Sequence, residues 1–182
     1  MLRVMMGPVS EDRHRSDLAS ADRAAMGERL GGFIYGTILT LSVIIAGAKA
    51  YPDAPGRIAA LVVATTIVFW LAHVYAHGAA YSIGLDKHLS LAALGHIARR
   101  EASILEASVP SVAALLAGWL GLFSERVSVW VAMALGLVVL AAAGLLFARA
   151  ERLTWVGTTV VLALNLGLGF LLIGLKLAVS HH

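Results

Sequence analysis

The sequence predicts an all-α, polytopic membrane protein with five transmembrane helices, a cytoplasmic N-terminus and an external C-terminus. Hydrophobic residues make up 59% of the 182 residues, and charged residues only 14%. The mean hydropathy is +0.84, and the charged residues gather between long apolar runs. This composition excludes an ordinary soluble domain, because such domains carry about 25% charged residues.

Each predicted span is an apolar run of roughly the 20 residues that a helix needs to cross a bilayer. The runs cover residues 31–50, 58–83, 103–123, 127–148 and 154–178. Residues 1–30 precede them as a charged cytoplasmic segment, in which residues 16–29 are expected to form a short amphipathic helix. Residues 31–182 then form the transmembrane domain.

The basic residues predict the orientation, because Lys and Arg of short loops stay on the cytoplasmic side. With the N-terminus inside, 10 of the 14 basic residues fall in cytoplasmic segments. The outer ones are Lys49, Arg57, Arg126 and Lys176. The protein is therefore predicted to be a multi-pass protein of the cytoplasmic membrane, with the lipid bilayer as its first partner.

The linker at residues 84–102 joins the second and third spans on the cytoplasmic side. Its leucines recur at helical spacing, and Lys87, Arg99 and Arg100 are available to anionic headgroups. This pattern predicts an interfacial helix.

Small residues line one face of the first span and one face of the fourth. Such stripes let helices approach closely in lipid. The residues are Gly32, Gly36, Thr40 and Gly47 in the first span, and Ala132 and Gly136 in the fourth.

The segment FWLAHVYAHGAAY at 69–81 places His73 and His77 one helical turn apart in an apolar run. Ionisable groups at membrane depth are costly and usually serve ion passage, proton relay or ligand binding. Because neighbouring spans run in opposite directions, Tyr35 and Glu106 are expected in the same inner-leaflet layer as the two histidines.

This layer predicts an ion or metal site made of His73, His77 and Glu106. Two histidines and a carboxylate suit zinc, iron or manganese. The possible accessory residues are Tyr35, Asp86, His88, His96, Glu101 and Asn165. The structural alternatives stay open, since Glu106 can pair with Arg99 or Arg100 and Asn165 can join two helices.

The sequence contains no motif for nucleophilic catalysis, phosphate binding or zinc-dependent proteolysis. The chain has no cysteine, no nucleophile elbow, no phosphate-binding loop and no zinc-protease motif. No enzyme activity and no nucleic-acid partner are predicted. Haem is not expected, because opposite axial histidines come from facing helices, whereas His73 and His77 share one.

Two segments resemble the vacuolar iron transporter family of divalent-metal exporters. GGFIYGTILTLSVIIAGAKA at 31–50 is similar to its opening helix, and residues 141–179 to its last two helices with their basic cytoplasmic turn. The resemblance implies five spans, a cytoplasmic N-terminus and divalent-metal transport. Where the family has Asp before Gly in the first helix, this chain has Tyr35, so the resemblance implies that His73 and His77 form a substitute site.

A second resemblance is to endosomal and bacterial potassium or proton channels. Their first helix carries an arginine and their second a Trp-x-x-His pattern, which Arg29, Trp70 and His73 match.

The sequence therefore favours transport or permeation of a cation, either a divalent metal or a proton, through an inner-leaflet His/Glu cluster. A homo-oligomer is expected, because five helices hardly enclose a pathway alone. The alternative is a non-transporting membrane scaffold that recruits a cytoplasmic protein partner.

Overall fold

A computed structural model of the chain describes residues 9–85 and 90–180. The described residues are almost entirely helical and contain no strand. The helices are α1 (Val9–Ala50), α2 (Pro55–Leu85), α3 (Leu91–Arg100), α4 (Ser103–Glu106), α5 (Val109–Trp119), α6 (Glu125–Ala150) and α7 (Trp155–Ser180). The all-α prediction is confirmed.

Three helical stretches of the described residues are long and apolar enough to cross a membrane. They are Arg23–Ala50 in α1, Pro55–Ile83 in α2 and Glu125–Ala150, which is α6. A fourth span results if Leu91–Glu106 and Val109–Trp119 count as one bent span. The structure is thus that of a multi-pass membrane protein with three or four candidate spans, where the sequence predicts five.

The first predicted span and the helix predicted before it form one continuous helix. α1 has 42 residues and is about 63 Å long at 1.5 Å per residue, roughly twice the hydrocarbon thickness of a bilayer. The domain boundary predicted at residue 30 is therefore not a break in the backbone. Gly31 and Gly32 lie inside the helix without interrupting it.

The third predicted span is not one helix. Hydrogen bonds between residues three apart, such as Ile104 N–H to the Glu101 carbonyl at 3.1 Å, tighten the chain before α5. Pro110 lies in the first turn of α5, and its missing N–H prevents a regular helix from running through this point. The axis bends by 52° between α4 and α5, so the predicted span at residues 103–123 is a bent pair of helices.

The predicted linker helix is present as α3. Ser90 caps its N-terminus by accepting a hydrogen bond from the Ala93 N–H at 3.1 Å. Trp70 of α2 donates its indole N–H to the Ala98 carbonyl at 3.0 Å, which fastens α3 to α2.

The core lies where α1, α2, α5 and α6 meet. Leu41, Ile58, Leu115 and Met133 are almost completely buried there. The Ser111 hydroxyl of α5 donates to the Ala132 carbonyl of α6 at 2.9 Å, a polar link inside an apolar interface.

The small-residue stripe of α1 forms close contacts, as predicted. A methyl group at Gly36 would lie 2.6 Å from the Ile104 carbonyl oxygen, and one at Gly32 would overlap the Ser103 hydroxyl. The backbone of α4 therefore lies directly against α1. On α6, Gly136 allows a similar contact with the Leu41 side chain.

We expect Gly36→Ala to destabilise the protein by about 1–3 kcal/mol, because the added methyl group pushes α4 away from α1. Thermal unfolding in detergent measures the change. The control is Gly27→Ala on the same helix, where a methyl group meets nothing within 4 Å. Equal unfolding temperatures for the two variants would contradict the close packing.

Candidate functional site

His73 and His77 lie on one face of α2, as predicted, with ring centroids 6.3 Å apart. The Nδ1 atom of His73 lies 2.9 Å from the Phe69 carbonyl oxygen, and that of His77 lies 3.1 Å from the His73 carbonyl oxygen. A carbonyl oxygen only accepts, so Nδ1 is the donor in both rings. Nε2 of each neutral ring is left to accept a proton or bind a ligand.

Tyr35 of α1 joins this face of α2. Its ring centroid is 5.1 Å from that of His73, with the planes tilted by 49°. The same ring also lies 6.3 Å from the ring centroid of Phe69. The structure therefore brings Tyr35 and the two histidines together, as the helix directions predict.

Glu101 completes the group from the C-cap of α3. Its Oε1 lies 3.4 Å from His77 Nδ1, which makes an ion pair when His77 is protonated. The Glu101 side chain is only 13% exposed, whereas that of His77 is 51% exposed. Because Trp70 holds α3 against α2, the carboxylate is fixed beside the imidazole.

These four residues form a continuous row, named here the His–Glu row: Tyr35, His73, His77 and Glu101. It begins on α1, follows one face of α2 and ends on α3. All four residues were candidates in the sequence analysis. The carboxylate beside the histidines is that of Glu101, whereas the sequence predicts Glu106 there.

Glu106 lies outside the row. Its carboxylate accepts from Arg29 at 3.1 Å, with the two side chains about half exposed. A second pair joins Arg100 of α3 to Glu28 of α1. The pair with Arg29 replaces the expected contact of Glu106 with the histidines, because α4 packs against α1 and directs Glu106 toward that helix.

The remaining candidates do not join the row. His96 is exposed on α3. Asn165 is buried on α7, donates to the Val161 carbonyl of its own helix at 3.2 Å and lies against Gly144 of α6. Asp86 and His88 fall outside the described residues.

Across residues 9–85 and 90–180, no group of three or more His, Asp or Glu side chains is arranged to hold a metal ion. A protein zinc site takes three or four ligands at close to 2 Å. In the His–Glu row, one carboxylate and two separated imidazoles come together. The zinc, iron or manganese ion expected from the sequence stays a prediction.

The chain matches no protein-family model, no curated protein and no solved structure. The resemblance to vacuolar iron transporters therefore stays an expectation based on the residues quoted for it.

Sequence reasoning allowed Glu106 an arginine partner, Arg99 or Arg100, but it missed that the ion pairs connect α3 and α4 to α1. A signal was present, because Glu28 and Arg29 are adjacent opposite charges, and Arg100 is followed by Glu101. Adjacent side chains on a helix point in different directions, so two neighbouring charged residues can each form an ion pair with a different residue.

We expect the Arg29 and Glu106 side chains to couple by about 0.5 kcal/mol, because the pair is partly exposed. A double-mutant cycle with Arg29→Ala and Glu106→Ala, measured by thermal unfolding in detergent, gives this coupling energy. The matched control combines Glu106→Ala with Arg100→Ala, whose partner is Glu28, and should give a smaller coupling. A larger coupling in the control would contradict the assigned pairing.

Proposed function

We propose that the protein moves protons, alone or coupled to another cation, across the cytoplasmic membrane. The observation that carries this proposal is the His–Glu row, in which four side chains that can bind a proton lie next to one another. Ring centroids are separated by 5.1 Å and 6.3 Å, and the last two members by 3.4 Å between atoms. One ordered water can bridge polar groups that are too far apart for direct transfer.

The depth of the row suits a relay at the inner side of the membrane. His77 and His73 precede the end of the α2 span at Ile83 by about 9 Å and 15 Å. An imidazole side chain can both accept and donate a proton, and the Glu101 carboxylate lies beside His77 as the next proton-binding group.

A homo-oligomer is part of the proposal. The His77 side chain is 51% exposed in the single chain. A histidine facing lipid is costly, and a second copy beside α2 would replace that lipid with protein.

The topology proposed with this function has five spans and a cytoplasmic N-terminus. α7 supports the fifth span: its described apolar part is Trp155–Leu171, and the helix continues to Ser180. The excess of basic residues on the N-terminal side supports the orientation.

The absence of native cysteine makes topology directly measurable. We expect Ser20→Cys and Thr154→Cys to react with a membrane-impermeant maleimide only after the cells are opened. Ser124→Cys and Ser180→Cys should react in intact cells. Labelling of Ser180→Cys and Thr154→Cys on the same side would contradict a fifth span, and reversal of all four would contradict the orientation.

Proton flux into proteoliposomes tests the relay. We expect Glu101→Gln and His77→Gln each to lower the flux about tenfold or more, because each removes a group that binds the proton in transit. A dye trapped in the lumen reports the flux after a pH jump. The controls are His96→Gln and Glu106→Gln, which change a histidine and a carboxylate outside the row.

The outcomes separate the hypotheses. Loss of flux in Glu106→Gln but not in Glu101→Gln would favour the cluster predicted from the sequence. A parallel manganese-flux measurement tests divalent-metal transport. It supports a metal carrier if manganese crosses and His73→Gln abolishes that flux.

One observation favours the alternative scaffold function. α1 exceeds the bilayer thickness, and the described side chains before residue 30 are exposed, so a helical arm projects toward the cytoplasm in the proposed orientation. If wild type and every row variant carry no flux, this arm becomes the leading candidate for recruiting a cytoplasmic partner.

A further inference from the structure

The end of α2 opposite the His–Glu row borders an apolar groove of about 890 Å³. The groove lies between α2 and α5. The α2 side presents a stripe with helical spacing, in which two alanines leave room between larger side chains, and the α5 side adds Leu116. The stripe residues are Ala60, Val63, Ala64 and Ile67.

Charged side chains of both signs rim this groove. Asp53 and Glu125 supply carboxylates, and Arg57 supplies a guanidinium. Over the part of the chain that the structure describes, neither carboxylate forms an ion pair. Arg57 lies 5.6 Å from the ring centroid of Tyr51, which holds the guanidinium near the rim.

Trp119 and Gly56 close the end of the groove next to this rim. A methyl group at Gly56 would lie 2.7 Å from the Trp119 ring, so the ring packs on the start of α2. A tryptophan at the end of membrane helices is typical of the headgroup level of a bilayer. The charged rim therefore lies at headgroup depth and the apolar stripe at acyl-chain depth.

We propose that this groove binds a membrane phospholipid whose headgroup carries a phosphate and a primary ammonium group. One acyl chain lies along the α2 stripe, Arg57 binds the phosphate, and Asp53 and Glu125 accept hydrogen bonds from the ammonium group. From Pro55 to Ile67 the helix rises about 18 Å, close to the depth of one hydrocarbon leaflet. The proposal does not depend on proton transport.

The charge pattern of the rim favours this occupant over other lipids. An anionic headgroup without an amine meets two carboxylates and one guanidinium, which is unfavourable. A quaternary ammonium group donates no hydrogen bond and is usually held by several aromatic rings, whereas Trp119 is the one aromatic ring among the groove-lining residues. A primary ammonium group satisfies both carboxylates.

Native mass spectrometry of the full chain tests the proposal. The delipidated protein is equilibrated in micelles with equal amounts of phosphatidylethanolamine, phosphatidylcholine and phosphatidylglycerol. We expect the wild type to retain phosphatidylethanolamine about tenfold better than the other two, the ratio that one charge-assisted hydrogen bond supplies.

Three variants test whether the preference for phosphatidylethanolamine depends on the groove. Asp53→Asn/Glu125→Gln should lose the preference for the amine while still binding phospholipid. Arg57→Gln should lower retention of all three lipids. Ala60→Leu/Ala64→Leu fills the apolar stripe and should prevent retention.

The controls change charge elsewhere. Asp17→Asn/Glu151→Gln removes two exposed carboxylates outside the groove, and Arg126→Gln removes an exposed cation at the same end of the bundle. Both should retain the wild-type ratio.

Equal retention of the three lipids by the wild type overturns the proposal. A preference that survives Asp53→Asn/Glu125→Gln also overturns it. If Ala60→Leu/Ala64→Leu leaves lipid retention unchanged but turns an oligomer into a monomer, a second copy occupies the groove and the lipid assignment is wrong.

Discussion

The contact between α1 and the α4 backbone is the constraint on which the arrangement of α3, α4 and the His–Glu row depends. Gly36 has no side chain, so the Ile104 carbonyl approaches to a distance that any Cβ would block. In lipid, helices gain little from burying apolar surface, and close backbone packing of this kind supplies much of their association. α4 is thereby held on α1, and α3 and Glu101 directly before it are placed at the edge of α2.

The break between α3 and α4 accompanies this arrangement. Glu101 is the C-cap of α3 and Glu106 is the last residue of α4, so the tightened turns lie between the two carboxylates. Five positions along a helix turn a side chain by about 140°, so the two carboxylates point in different directions. Glu101 then pairs with an imidazole of α2, and Glu106 with a guanidinium of α1. A backbone irregularity is tolerated at membrane depth where it is packed against protein.

Several parts of this arrangement follow from local pattern. The spacing of His73 and His77 fixes their shared face in any helix, and the alternating directions of successive spans bring Tyr35 to their level. The glycines of α1 mark the face that packs. The break in the third span is less visible, because a single proline in a long apolar run is compatible with either a mild kink or a full interruption. Glu101 and Glu106 differ by five positions, and the packing of α3 on α2 and of α4 on α1 decides which one reaches the histidines.

The sequence by itself determined that the chain is helical and has the hydropathy of a membrane protein. Hydropathy and helical periodicity are properties of neighbouring residues and do not depend on contacts between distant segments. It also determined which ionisable groups lie within apolar runs. The tertiary structure alone decided which carboxylate meets the imidazoles and that the N-terminal arm continues the first span. It also decided where a groove opens between α2 and α5. These depend on close contacts between helices distant in sequence, which no local pattern encodes.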